Sequence, residues 1–165
     1  MHGAERIETP RLVLQPVSED AARAVVDGDL SVVAAGEGWP HADTMDGMRH
    51  TTSTGGMLWF ATLDRLVIGD CGTHAPVAPN GLVEIGYGLS AAYRGRGLGR
   101  EMVAGLSDWL INRPEVNIVL ALTEAANAPS CRCLEGAGYY LDGEADGELR
   151  YVLVGSPGHV ATMGL

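Results

Sequence analysis

The chain has 165 residues and a formal net charge of -10, from 11 basic against 21 acidic side chains. Its 46% apolar and 19% charged content is that of an ordinary globular domain and excludes intrinsic disorder, a collagen or a coiled coil. The acidic balance argues against a nucleic-acid partner, which needs a field that attracts phosphates, and no apolar run reaches the ~18 residues of a membrane span.

Met1 to Pro10 lacks the apolar core of a signal peptide, so the expected compartment is the cytoplasm. Arg11-Leu12-Val13-Leu14-Gln15 alternates like a half-buried strand that Pro16 ends. Ser18 caps a helix over Glu19 to about Asp27, with Glu19 and Asp20 at its positive end. Residues 28 to 56 are broken by Gly28, Gly36, Gly38, Pro40, Gly47, Gly55 and Gly56. They read as an irregular stretch with short helices between the breaks, suited to shaping a variable pocket.

Met57 to Leu63 and Leu66 to His74 read as a hairpin across Asp64-Arg65, and Ala75 to Gly81 as a turn. Leu82 to Ser90 is the next strand. From Leu98 the period changes, and Leu98, Met102, Val103, Leu106, Trp109 and Leu110 share one helical face. Asn112-Arg113-Pro114 stops that helix. Val116 to Thr123 is a continuous apolar run suited to a buried strand. Pro129 fits the first turn of a further helix, with Gly136 and Gly138 at its end. Tyr139 to Leu141 and Leu149 to Val154 close the pattern as a hairpin, joined by the acidic, Gly-rich segment Asp142 to Glu148. The order predicts one α/β or α+β domain over 1–155, with 156–165 as a frayed tail.

Chemistry concentrates in Tyr93-Arg94-Gly95-Arg96-Gly97-Leu98-Gly99-Arg100. A strand ends before this segment and a helix begins inside it. The glycines let the backbone pass close to a ligand, and the unpaired N–H groups of the first helical turn form an anion site. Residues 90 to 113 hold four Arg against Glu101 and Asp108, a local +2 on an acidic chain. The plain alternative is a flexible Arg/Gly turn with solvated charges. Arg100 stands where a dinucleotide fingerprint needs its third Gly. All 11 basic residues are Arg, which excludes a P-loop lysine and a Schiff-base lysine. The odd set Cys71, Cys131 and Cys133 makes no disulfide framework and is read as reduced, with Cys131 and Cys133 diverging on their helix as buried fillers rather than metal ligands.

A second segment, Asn127-Ala128-Pro129-Ser130, opens a helix directly after the apolar strand, with Glu135, Gly138 and Tyr139 behind it. Together the two segments resemble the GNAT superfamily of acyl-CoA N-acyltransferases, whose phosphate loop Arg/Gln-x-x-Gly-x-Gly/Ala is matched by Arg94, Gly97 and Gly99. The chain looks most like the RimJ/RimL branch, through Thr9-Pro10-Arg11-Leu12, Ile68-Gly69-Asp70, Glu84-Ile85-Gly86-Tyr87 and Asn-x-x-Ser, over about Thr9 to Val154. The resemblance implies a mixed sheet of about six to seven strands, splayed between the two central ones and flanked by about four helices. It implies acetyl-CoA as co-substrate, bound by Leu89, Arg94, Gly95, Arg96, Gly97, Leu98, Gly99, Arg100, Asn127 and Ser130, with no metal. It also implies direct attack of a primary amine, on a small molecule or a peptide N-terminus, by a monomer or homodimer.

In that scheme Glu84 matches a family base and Ser130 a family serine that faces the sulfur. The plain alternatives are a strand carboxylate paired with an Arg, and a helix-terminus hydroxyl bonding backbone. Tyr139 occupies the family's usual Phe position and reads as core. On the acceptor side Trp39, Asp43, Asp46 and Gly88 are expected, although Trp39 also suits a core anchor and Gly88 a strand bulge. His41 and His50 are open to contact an acceptor or to stay solvated. Residues 1 to 50 carry nine acids against four Arg, which favours a cationic acceptor. A non-catalytic acyl-CoA-binding or sensing module on the same fold is the alternative, and a structural or partner-binding protein a third reading. Glu84 and Ser130 favour the enzyme.

Overall fold

The computed structural model describes residues 3–155, and the expected tail at 156–165 lies outside the described residues. Its elements are β1 (Ile7–Glu8), β2 (Val13–Pro16), α1 (Glu19–Val26), α2 (Ala42–Thr54), β3 (Leu58–Leu63), β4 (Leu66–Thr73), β5 (Leu82–Leu89), α3 (Leu98–Ile111), β6 (Ile118–Glu124), α4 (Ala128–Gly136), β7 (Tyr140–Ala145) and β8 (Glu148–Val154). Local chemistry explains their ends. The Ser18 hydroxyl accepts from the Ala21 amide at the start of α1, and the Asn127 side chain accepts from the Ser130 amide at the start of α4. Asp64 and Arg65 both adopt positive φ in the tight turn between β3 and β4.

The strands form one eight-stranded mixed sheet in the order β1-β2-β3-β4-β5-β6-β8-β7. Every pairing is antiparallel except β5 with β6. Eight strands exceed the six or seven expected, because Ile7–Glu8 adds a short edge strand against Val13–Leu14. The segment Asp142 to Glu148 is also largely strand rather than connection, and Gly143 to Ala145 pair with β8 beyond a bulge. Residues 42–54 form a single helix through Gly47 where short pieces were expected.

Apolar layers cover both faces of the sheet. On one side Leu98, Met102, Val103, Leu106 and Leu110 of α3 and Leu134 of α4 pack on Trp59, Ile68, Val83, Ile85 and Val119. On the other side Ala22 and Val25 of α1 and Met48 of α2 pack on Leu58, Phe60 and Val67 with Trp39. Period-2 alternation in β3 sends Trp59 and Ala61 to the first layer and Leu58 and Phe60 to the second.

Candidate active site

The parallel pair β5–β6 is joined only from Leu82–Ile85 to Ile118–Ala121. From Gly86 to Leu89, strand β5 keeps its β4 partner but pairs with β6 no further. Gly86 and Gly88 bring no side chain to hold a neighbour there. A cavity of about 580 Å³ opens on the α3/α4 side of this gap and one of about 500 Å³ on the α2 side. Both are walled by Tyr87, Gly88, Arg94 and Asn127, so they meet at the splay.

The α3/α4 cavity is bordered by the glycine loop and the start of α3. Gly95 and Gly97 take left-handed φ of 80° and 78°, and Gly97 is the N-cap of α3 without a side-chain cap. The first-turn amides of α3 therefore have no intrahelical acceptor, and the helix dipole points its positive end at this wall. Leu89, Arg94, Gly95, Gly97, Gly99, Arg100, Asn127 and Ser130 line the cavity as the sequence suggested. Arg96 and Leu98 do not. Arg96 turns back onto the Ala92 carbonyl and the Tyr93 ring, and Leu98 is buried beneath the loop. Arg132 and Cys133 join the lining without having been anticipated. Their spacing of i+3 and i+4 from Pro129 puts them on one helical face and was the available signal.

At the splay the Tyr87 and Ser130 hydroxyls lie 2.6 Å apart. Asn127 Oδ1 accepts from the Ser130 amide at 3.2 Å, which fixes the turn that carries that hydroxyl. Burial pushes the Tyr87 phenol up to about 12, with the Ser130 bond opposing, so Tyr87 holds its proton at neutral pH. Sequence reasoning quoted Tyr87 only as part of a motif and gave it no role. Tyr139 is core, its hydroxyl 2.6 Å from Ser107.

The α2 cavity is lined by His41, Asp43, His50, Asp70 and His74, among others. His74 Nδ1 lies 3.2 Å from Glu84 Oε1. That bond holds the Glu84 carboxyl below its ordinary range and raises the His74 imidazole. His74, and not Glu84, stands on the cavity wall. Asp70 is 8% exposed, takes a 3.0 Å bond from Trp39 Nε1 and a further one from Thr44, and is raised mainly by burial. The Thr44 hydroxyl also meets His41 Nδ1 at 2.9 Å.

The four expected acceptor-side residues separate. Asp43 and Gly88 line this cavity. Trp39 is 4% exposed, packs edge-on to Phe60 and reaches the site only through Asp70. Asp46 is exposed and paired with Arg49 at 3.0 Å. A Cβ at Gly88 would meet His41 Cε1 at 3.5 Å, an ordinary contact, so His41 occupies the room next to that glycine. Among the described residues no group of three or more His, Cys, Asp or Glu is placed to hold a metal ion, and no helix is long and apolar enough to cross a membrane.

The chain is 34% identical over 77 residues to the uncharacterised N-acetyltransferase p20 of Bacillus licheniformis, a match spanning 47% of this chain and less than half, 43%, of that protein. Its fold is that of the ribosomal L7/L12 α-N-protein acetyltransferase RimL in complex with coenzyme A (TM-score 0.67, 16% identity, 92% of this chain and 98% of that one). It is likewise that of the aminoglycoside acetyltransferase AAC(6′)-Ib in complex with coenzyme A (TM-score 0.64, 19% identity, 93% and 99%). Residues 11–140 match the acetyltransferase (GNAT) domain, and the chain belongs to that family.

Proposed function

We propose that this protein is a RimJ/RimL-like N-acetyltransferase that moves an acetyl group from acetyl-CoA to a primary amine. The observation that carries this reading is that the two cavities share Tyr87, Gly88, Arg94 and Asn127 where β5 and β6 part. An anion-binding helix start lies on one side and a carboxylate- and imidazole-lined chamber on the other. The amides of Gly95 to Arg100, with the Arg94, Arg100 and Arg132 side chains, hold the phosphates of the co-substrate. The edge of Gly86 to Leu89 that faces away from β4 bonds its pantetheine amides, and Asn127 flanks the same arm.

On this reading the thioester lies at Tyr87 and Ser130. Ser130, backed by Tyr87, protonates the departing thiolate. Glu84 supplies the basic charge that removes the acceptor's proton through an intervening group. The acceptor is a cationic small molecule or a peptide N-terminus, drawn by Asp43, Asp70 and the acidic first 50 residues.

The test is release of free thiol from acetyl-CoA with a panel of primary amines comprising spermidine, kanamycin and short peptides with free N-termini. Turnover with at least one amine, abolished when acetyl-CoA is replaced by coenzyme A, is expected. Tight acetyl-CoA binding with no turnover of any amine would point instead to the sensing module, and no binding at all would remove both readings.

A further inference from the structure

We infer that His74 is the residue that takes the proton from the acceptor amine, and that Glu84 is a positioning residue acting through it. The inference rests on the acetyltransferase reading above and settles which atom meets the substrate.

The geometry runs from backbone to side chain. His74 directly follows β4, and its amide bonds the Glu84 carbonyl at 2.9 Å, which fixes it beside β5. Its imidazole lies against Gly86, where an added Cβ would fall 2.6 Å from Nε2. A side chain at Gly86 would have to displace the ring, and Gly86 is also where β5 loses its β6 partner. Nδ1 faces Glu84 at 3.2 Å, so the carboxylate selects the tautomer with the proton on Nδ1. Nε2 is then a lone-pair acceptor on the α2 cavity wall beside the splay.

Among the described residues no other imidazole on that wall lies within ion-pair distance of a carboxylate. His41 Nδ1 is bonded to Thr44, and Asp70 is bonded to Trp39 and Thr44. His50 of α2 packs edge-on to His74 with ring centres 5.4 Å apart but has no carboxylate behind it in the way His74 has Glu84. The charged and titratable groups around the dyad are Glu84 on β5, His50 on α2 and, acting on Glu84, Arg150 on β8.

The step balances. The acceptor ammonium gives one proton to His74 Nε2. The freed nitrogen lone pair attacks the thioester carbonyl, the C–N bond forms and the C–S bond breaks. The sulfur leaves with its electron pair and takes a proton from the Ser130–Tyr87 pair. The second nitrogen proton restores that pair through solvent, and His74 releases its proton, one per turnover.

Four proteins decide it: wild type, His74→Gln, Glu84→Gln and the double variant. Each is assayed from about pH 6 to 9 with an amine that the wild type turns over. His74→Gln should lower kcat/KM by ~10²–10⁴ while leaving KM for acetyl-CoA unchanged. Glu84→Gln should cost less and move the acid limb to lower pH, because losing the carboxylate makes the imidazole easier to deprotonate. The double variant should be no slower than His74→Gln alone. Nitrogen chemical shifts of the His74 ring should report the Nδ1–H tautomer in wild type and a mixture in Glu84→Gln. A wild-type rate in His74→Gln, or a Glu84→Gln loss as large with no limb shift, would overturn this assignment alone. A wild type inert toward every amine would overturn the acetyltransferase reading with it.

Discussion

Arg11 and Glu101 are 90 residues apart in the chain and 2.9 Å apart in space. Glu101 sits in the first turn of α3 and accepts from the Arg11 guanidinium, the Thr9 hydroxyl and the amides of Arg11 and Leu12. Arg11 in turn donates to the Arg96 carbonyl inside the glycine loop. Burial alone would raise the Glu101 carboxyl, but these donors outweigh it and hold the group below its ordinary range. The Thr9-Pro10-Arg11-Leu12 segment is thus a brace for the glycine loop.

Glu101→Ala should therefore act at a distance. It leaves donors of the Thr9–Leu12 segment unsatisfied and should cost ~1–3 kcal/mol of stability. It should also shrink the melting shift produced by acetyl-CoA, although Glu101 does not line the cavity. Thermal unfolding with and without acetyl-CoA reads both effects, and an undiminished shift would separate the brace from binding.

The glycines of the loop give a more local prediction. Gly97 is at φ 78°, where a β-branched residue is strained, and a Cβ at Gly99 already meets Cys133 Sγ at 3.3 Å. Gly97→Val and Gly99→Val should each abolish most of the acetyl-CoA melting shift, beyond any fall in the melting temperature of the free protein. Full shifts in both would move the phosphate site elsewhere.

Most of the fold, and most of the residues that line the α3/α4 cavity, were legible because their signals are local: glycine spacing, a helical stripe and an apolar run. Helix α2 was not. Its buried face is Thr44, Met48 and Thr51, which has helical spacing but little apolar contrast, and Gly47 lies between. Only the start of strand β7 was read, because its continuation is an exposed edge bearing Asp142, Gly143 and Glu144, a composition that reads as loop. The partners of Glu84 and Ser130 were illegible for another reason. Which side chain a strand carboxylate or helix hydroxyl meets depends on the registers that bring His74 and Tyr87 beside them.

The hydroxyl pair at the splay should separate binding from chemistry. Ser130→Ala should lower kcat by ~10²-fold or more, on the scale of lost general-acid catalysis, with KM for acetyl-CoA little changed. Tyr87→Phe should cause a smaller loss, since it removes only the group behind Ser130. Equal rates in wild type and Ser130→Ala would assign protonation of the thiolate to solvent.

Acceptor attraction should be salt-dependent. kcat/KM should fall as ionic strength rises, because surface charges act over ~8 Å at physiological salt. Asp43→Asn, on the cavity wall, should flatten that dependence, while Asp46→Asn, off the wall and paired with Arg49, should do so less. An equal effect of both would mean that the general field matters and the wall does not.

The His74–Glu84 bond also makes a stability prediction with a defined sign. A raised imidazole contributes below its unfolded value of 6.5 and loses that contribution as pH rises through its folded one. A lowered carboxyl contributes above 4.5 and loses it as pH falls through its folded value. The pair is partly exposed, so its worth is below ~1 kcal/mol. The difference in urea midpoint between wild type and Glu84→Gln should peak near about pH 5.5 and shrink toward both pH extremes. A difference that grows above about pH 8 would contradict the pairing.

The early end of the β5–β6 ladder at Ile85 has a consequence for the protein's lifetime. A sheet with a strand-length vacancy at its centre is completed only when something extended lies in it and pairs with Gly86 to Leu89. Any ligand that does so stabilises the folded form by RT ln(1 + [L]/Kd), so the folded fraction follows the supply of the acyl donor. Amide exchange along Gly86–Leu89 should slow when acetyl-CoA is added, and proteolysis should slow with it. Such a chain would persist where its donor is plentiful and be degraded sooner where it is scarce.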